Sequence, residues 1–460
     1  MGKLFGTDGI RGVANEELTC DLAFRTGQAA AMVLAGATGH RARILIGKDT
    51  RISSDMLESA LAAGIVSVGA DVGLLGVVPT PAVAHLTVKS GADAGVVISA
   101  SHNPVEFNGI KIFGNGGFKL SDALEEQIES VLFGNVPVPL KTGGEIGRIV
   151  RWDAGVNEYC KDVKYTAECN LTDLNILFDC ANGAASHTAE KIFPKLYADC
   201  TFIHNKPDGL NINRNCGSTH LNSLRTLVRE GGFDAGIAFD GDADRCLAVD
   251  ETGEIIDGDQ IMALCAAELK RRDELPGDAF VATVMSNLAL YQFAKENEIT
   301  VEAAAVGDRN VLELMQEKGY ILGGEQSGHV IFLNHSTTGD GQLTAVQFLS
   351  LLQKSGKKAS ELRAMIPQYP QVIINVKVPN DRKGEIAEDR DVQLALREIT
   401  EELGDEGRIL VRPSGTEPLV RVMVEAKDFD QVNAIAGHVA DVIATAARES
   451  ALEESGAEPV

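Results

Sequence analysis

Apolar residues along this chain gather in short runs that stop at glycine-rich or polar loops, and stretches of helical spacing separate the runs. That pattern predicts strands over 43–47, 72–75, 96–98, 175–178, 235–239, 280–284, 301–306 and 330–333. It predicts helices over 22–34, 54–63, 122–132, 259–271, 287–297, 310–318 and 341–353. Alternation of strand and helix at these lengths specifies α/β layered domains with ligand loops at strand ends. After 367–370, where two prolines mark a linker, the pattern changes to an alternating strand over 372–378. A helix over 391–403, strands over 408–411 and 419–425 and a long final helix follow.

A chain of 460 residues is too long for one core and should divide into three or four domains. The segments expected are 1–150, 151–256, 257–368 and 369–460, the first three α/β and the last a smaller α+β domain. With 42 basic against 66 acidic residues the formal charge is −24, which argues against non-specific nucleic-acid or anionic-membrane binding. An anionic substrate must then be captured by a local basic pocket. The N-terminus lacks the apolar core of a signal peptide, no apolar run approaches bilayer length, and the eight cysteines never occur as Cys-x-x-Cys. The expectation is a cytoplasmic enzyme with reduced, largely buried thiols and no zinc site.

Four loops carry candidate chemistry. The first follows the strand over 96–98, where Ser99-Ala100-Ser101-His102-Asn103-Pro104 cannot continue it. Ser101 is presented at a strand end with Lys111 ten residues on, as suits a nucleophile or a phosphate carrier. In the second, Asp240-Gly241-Asp242-Ala243-Asp244-Arg245, three carboxylates at alternate positions around a glycine can aim oxygens at one hard divalent cation, with magnesium the natural guest. Arg245 partly offsets their charge. The third, Gly324-Glu325-Gln326-Ser327-Gly328-His329, crowds a carboxylate, an amide, a hydroxyl and an imidazole into a set able to bind sugar hydroxyls, and His329 can shuttle a proton. The fourth, Arg412-Pro413-Ser414-Gly415-Thr416-Glu417-Pro418, has the makeup of a phosphate cradle, with Arg421 close by. Near the start, glycines at 6, 9 and 12 argue against a regular helix or strand and let Arg11 project from a loop that can clamp phosphate. Lys206-Pro207-Asp208-Gly209-Leu210-Asn211 and Cys216-Gly217-Ser218-Thr219-His220 read from composition as plain surface loops.

Together and in this order, the four loops resemble the α-D-phosphohexomutase superfamily over essentially the whole chain. The signs Gly6 to Gly12, Asn211-Ile212-Asn213, Cys216 to His220 and Gln326 are similar to its bacterial amino-sugar members. Mannose and glucose members tend to have methionine at the position of Gln326. The resemblance implies four domains around a central cleft and conversion of glucosamine 6-phosphate to glucosamine 1-phosphate through glucosamine 1,6-bisphosphate. It makes Ser101 the phosphoserine, with Mg2+ on Asp240, Asp242, Asp244 and a Ser101 phosphate oxygen. The sugar falls to Glu325 and Ser327, with Arg245 and Arg309 beside it. The distal phosphate falls to Arg412, Ser414, Gly415, Thr416 and Arg421. Arg11, Lys111 and His329 match positions used for orientation or proton transfer, and spacing alone does not choose the base among them. A mannose or glucose phosphate substrate is the alternative within the same class. A serine-linked phosphatase would not need the Arg412 loop, and a non-catalytic sugar-phosphate sensor could dispense with Ser101 or the aspartates.

Overall fold

The apolar runs form four sheets in the computed structural model of the chain, which describes residues 4–6, 8–35, 40–414 and 418–455. The first sheet contains β1 (Ile10–Val13), β2 (Arg43–Lys48), β3 (Asp71–Val77), β4 (Ala94–Ile98), β5 (Phe107–Gly114) and β6 (Ile149–Arg151), in the order β1-β5-β4-β2-β3-β6. β2, β3, β4 and β6 run parallel, while β5 is antiparallel to both β4 and β1. The second holds β7 (Asn175–Asp179), β8 (Asp199–Ile203), β9 (Ala235–Phe239), β10 (Cys246–Asp250) and β11 (Ile255–Ile256), in the order β11-β10-β9-β7-β8. The third is β12 (Ala279–Thr283), β13 (Thr300–Ala304), β14 (Leu322–Gly324) and β15 (Val330–Phe332), in the order β13-β12-β14-β15. Each is a mixed sheet whose central strands are apolar on both faces, as helix-covered sheets require.

Two features of the first sheet depart from the sequence reading. The glycine-rich opening does form a strand: β1 pairs with β5 in the register Ile10↔Ile110 and Arg11↔Gly109. Gly9 admits it, because a Cβ there would lie 2.3 Å from the Ile110 carbonyl oxygen. The glycine serves close backbone approach between strands. β5 itself, which carries Lys111, escaped the pattern because it is buried on both faces between β1 and β4, with its polar residues Asn108 and Lys111 on opposite faces and no solvent-facing side to mark it.

Contacts divide the chain into two compact units, one of residues 1–286 and 294–365 and a second of 287–293 and 366–460. The first unit carries these three sheets. In the second, β16 (Gln371–Lys377), β17 (Gly407–Pro413) and β18 (Leu419–Ala426) form an antiparallel sheet in the order β16-β18-β17. Val420, Val422 and Val424 alternate toward a core shared with Val392, Ile399, Val432, Val439 and Ile443 of the helices Arg390–Leu403 and Phe429–Ser455. No helix among the described residues is long and apolar enough to cross a membrane. All eight cysteines are free thiols.

Candidate active site

Three strand ends of the first unit bring their loops together. β4 ends at Ile98, and Ser101 takes a left-handed φ of 52° in a buried position. The loop between β9 and β10 is Asp240 to Arg245, turned by Ala243 at φ 55°. Ser101 Oγ donates to Asp240 Oδ2 at 2.6 Å, and the Arg245 amide donates to Asp240 Oδ1 at 3.2 Å. β5 supplies Lys111, whose Nζ lies 2.8 Å from Asp242 Oδ2 and 3.6 Å from Asp244 Oδ2. The helix Thr80–Ser90 adds a contact that sequence reasoning missed: Thr80 donates its hydroxyl to Asp242 Oδ2 at 2.7 Å and its amide to the Asp242 carbonyl at 2.9 Å. Its signal, a hydroxyl at a helix start after Pro79, is common to many N-caps and marks no chemistry alone.

Like charge packed out of water shapes these groups. Burial, reinforced by Asp244 and Asp242, pushes the Asp240 carboxyl well above the usual carboxylate range. Burial opposes charge on Asp244 too, but Lys111, His329 and Arg245 outweigh it and hold that carboxyl well below the range. Lys111 is shifted up, burial being overcome by Asp242, Asp244 and Asp8, so it stays an ammonium. Asp240, Asp242 and Asp244 offer oxygens within 4.8 Å of one another. Oδ1 of Asp242 and Oδ1 of Asp244 are buried and accept no hydrogen bond. Two orphaned carboxylate oxygens beside a third acid are what a hard divalent cation coordinates, so these residues fit such an ion.

His329, just before β15, is buried with Nδ1 3.7 Å from Asp244 Oδ2 and Nε2 3.7 Å from Asp308 Oδ2. Burial disfavours its charge, but Asp244, Asp308 and Glu325 together push its pKa up to about 9. The Gly339 amide, however, donates to Nε2 at 3.2 Å, which fits only the neutral ring protonated on Nδ1. A divalent cation on the aspartates would cancel much of the acidic pull, so we take the neutral tautomer as the form suited to a metal-loaded site. Arg245 Nη1 lies 3.1 Å from His102 Nδ1, and burial with Arg245 and Arg11 lowers the His102 pKa to about 4. Arg11 pairs with Asp8 at 2.9 Å and has a buried Nε without a partner. Lys119 bridges Asp8 at 2.6 Å and Asp308 at 2.5 Å, so it links the Arg11 turn to the neighbourhood of His329. Glu325 accepts from the Gly307 amide at 3.0 Å, and the Ser327 hydroxyl stands 3.5 Å from its other oxygen.

Arg309 stands apart from this cluster. It donates to the Leu120 carbonyl at 2.8 Å and pairs with Asp122 at 2.6 Å and Glu313 at 3.4 Å. In the second unit, Arg412 and Arg421 face each other across β17 and β18, and Ser414 is buried with its amide on the Leu419 carbonyl at 2.9 Å. Burial, then Arg421, lowers the Arg412 pKa. Directly opposed like charges are destabilising and suit an anion between them. Gly415 and Thr416, like Thr7 in the opening loop, lie outside the described residues.

A serine hydroxyl on a buried three-carboxylate cluster, framed by α/β domains, defines a phosphoryl-transfer class of protein. Four consecutive descriptions of the phosphoglucomutase/phosphomannomutase family match the chain: alpha/beta/alpha domain I over residues 2–136, domain II over 157–253, domain III over 257–369 and the C-terminal domain over 373–442. The chain belongs to this family, within its phosphoglucosamine mutase branch. It is 54% identical over 444 residues to the phosphoglucosamine mutase of Acetivibrio thermocellus, covering 96% of this chain and 99% of the relative. Solved structures share the fold: a phosphoglucomutase/phosphomannomutase family protein from Burkholderia thailandensis has a TM-score of 0.81 at 24% identity, covering 96% of this chain and 97% of that one. Aspergillus fumigatus N-acetylphosphoglucosamine mutase in complex with GlcNAc-6P and magnesium has a TM-score of 0.66 at 16% identity, with 96% of each chain covered.

Proposed function

We propose that the protein interconverts glucosamine 6-phosphate and glucosamine 1-phosphate through a phosphoserine at Ser101 and a 1,6-bisphosphate intermediate. The observation that carries this reading is Ser101 Oγ on Asp240 at 2.6 Å, beside the orphaned oxygens of Asp242 and Asp244. Asp240, Asp242 and Asp244, with a phosphate oxygen of Ser101, would hold Mg2+, which would supply charge neutralisation for the transferring phosphoryl group. The domains are taken as 1–150, 151–256, 257–368 and 369–460, each contributing one of the four loops.

The bond from phosphorus to Ser101 Oγ breaks as a bond forms to the 1-oxygen of glucosamine 6-phosphate, and the hydroxyl proton leaves to a base. Lys111 is held as an ammonium and suits charge neutralisation, while His329, whose Nε2 accepts the Gly339 amide and whose Nδ1 faces Asp244, stands with Arg11 as a candidate for proton transfer. Arg11 and Arg245 orient phosphate oxygens. The bisphosphate then presents its 6-phosphate to Ser101, whose oxygen takes it and releases glucosamine 1-phosphate. Glu325 and Ser327 bind sugar hydroxyls, Arg309 supports that side, and Arg412, Ser414, Gly415, Thr416 and Arg421 bind the phosphate that is not reacting. A coupled assay with glucosamine, glucose and mannose 6-phosphates, run with glucosamine 1,6-bisphosphate and Mg2+, tests the reading. Preferred turnover of the amino sugar supports it, and equal or better turnover of the other two contradicts the substrate assigned.

A further inference from the structure

The stretch Asn211 to His220 has no part in the chemistry above, yet it joins two loops read as plain surface and is itself partly buried. Asn213 and Cys216 are buried, and Asn213 Nδ2 donates to the carbonyl of Ser101 at 2.9 Å and to that of Asn103 at 3.2 Å. Arg51, whose side chain is fully buried, reaches the same place. Its Nη2 donates to the Ser101 carbonyl at 3.0 Å and the Asn103 carbonyl at 2.8 Å, and Nη1 donates to the Pro104 carbonyl. Its charge is met by Asp49 at 2.9 Å. Asp49 in turn accepts from the Ser99 hydroxyl at 2.6 Å, and the Ser99 oxygen accepts the Ser101 amide at 3.0 Å. Both ends of residue 101 are therefore tied to buried side chains.

The metal loop rests on the same carbonyl. A Cβ on Gly241 would lie 2.5 Å from the Ser101 oxygen, so only glycine lets Asp240 and Asp242 flank it. Asn213, itself at φ 57°, is anchored through its amide to the Ala181 carbonyl at 2.9 Å. Asp179 secures that base by accepting the amides of Ala181 and Gly217, each at 2.9 Å. A serine at φ 52° sits in a region unfavourable for residues with a Cβ and persists only where surroundings over-determine it.

We propose that Asn213 and Arg51 are positioning residues for the phosphoryl carrier: their shared grip on the Ser101 carbonyl holds the left-handed turn that aims Ser101 Oγ at the aspartate cluster. The inference rests on the reading of Ser101 as that carrier. Oγ must occupy one place as leaving group and as nucleophile while the sugar exchanges ends. Loosening the grip therefore slows phosphoryl transfer in both directions and leaves sugar binding intact.

The test compares wild type, Asn213→Gly and Arg51→Lys in the full chain. Glycine keeps φ near 57° unstrained and deletes only the amide; lysine keeps a charge for Asp49 and loses the guanidinium fork. Rapid-quench intact mass follows phosphorylation of Ser101 by glucosamine 1,6-bisphosphate with Mg2+, beside steady-state kcat and KM for glucosamine 6-phosphate. The expected result is a fall on the order of ten- to a hundredfold in phosphorylation rate and kcat, with KM changed less than about threefold. Asn213→Gly sits on a separate loop and carries the test if Arg51→Lys does not fold. A phosphorylated wild type beside a folded Asn213→Gly variant of equal rate overturns the clamp alone, as does a KM that rises in step with the loss of kcat. A wild type that takes no phosphate on Ser101 overturns the carrier and the clamp together.

Discussion

The aspartate loop of the first unit and the arginine pair of the second are opposites built on one plan. In one, three carboxylates crowd at the end of β9, two with an oxygen that accepts nothing; in the other, Arg412 and Arg421 oppose each other across adjacent strands with Ser414 at the turn. Each spends stability on like charge, and each shifts its own groups against ionisation, Asp240 upward and Arg412 downward. On the proposed reading, the acids take a divalent cation and the arginines a phosphate. A contrasting set, Arg11 and Lys119 with Asp8 and Asp308, matches two cations with two carboxylates within the protein.

Removing the hydroxyl that links cation and phosphate chemistry breaks the comparison most severely. Ser101→Ala should lower conversion of glucosamine 6-phosphate by on the order of a thousandfold or more in the coupled assay, as loss of a covalent carrier does. Asp240→Asn comes next, with a loss on the order of a hundred- to a thousandfold. Because charge on Asp240 opposes folding of the metal-free protein, this variant should melt above wild type in a chelator. Wild type should gain about 2.7 kcal/mol at Mg2+ a hundred times its Kd, and the variant little of it. Arg412→Met should raise KM for the phosphosugar by about tenfold or more, at roughly 1.5–3 kcal/mol for a hydrogen bond to a charged group. It should also relieve the cross-strand repulsion, so the metal-free melting temperature should not fall. Arg309→Lys is the smallest: with its guanidinium on Leu120, Asp122 and Glu313, a change within about threefold in kcat/KM is expected, since half-exposed ion pairs contribute about 0–1 kcal/mol.

Most of the layered architecture and the ligand-bearing loops could be read from the chain because strand ends punctuate it. Ser101, Asp240, Asp242 and Asp244 announce themselves by local crowding of one chemistry after an apolar run. β1 and β5 did not, since Asn108 and Lys111 fall on opposite buried faces of β5 and Gly9 serves inter-strand contact. Thr80, Arg51 and Asn213 were illegible for a different reason. Their partners are a distant carboxylate and the carbonyls of Ser101, Asn103 and Pro104, and backbone oxygens carry no sequence signature. Arg309, expected beside the sugar from the resemblance, has its contacts with Leu120 and neighbouring acids.

Intact mass and peptide mapping of purified protein, before and after incubation with glucosamine 1,6-bisphosphate and Mg2+, address the phosphoserine most directly. One phosphoryl group mapped to Ser101, transferable to glucosamine 6-phosphate and absent from Ser101→Ala, is the expected result. An unmodified Ser101 in a protein that still converts the sugar, with Ser101→Ala equally active, would contradict it and move the search for the carrier elsewhere around the Asp240 to Asp244 loop.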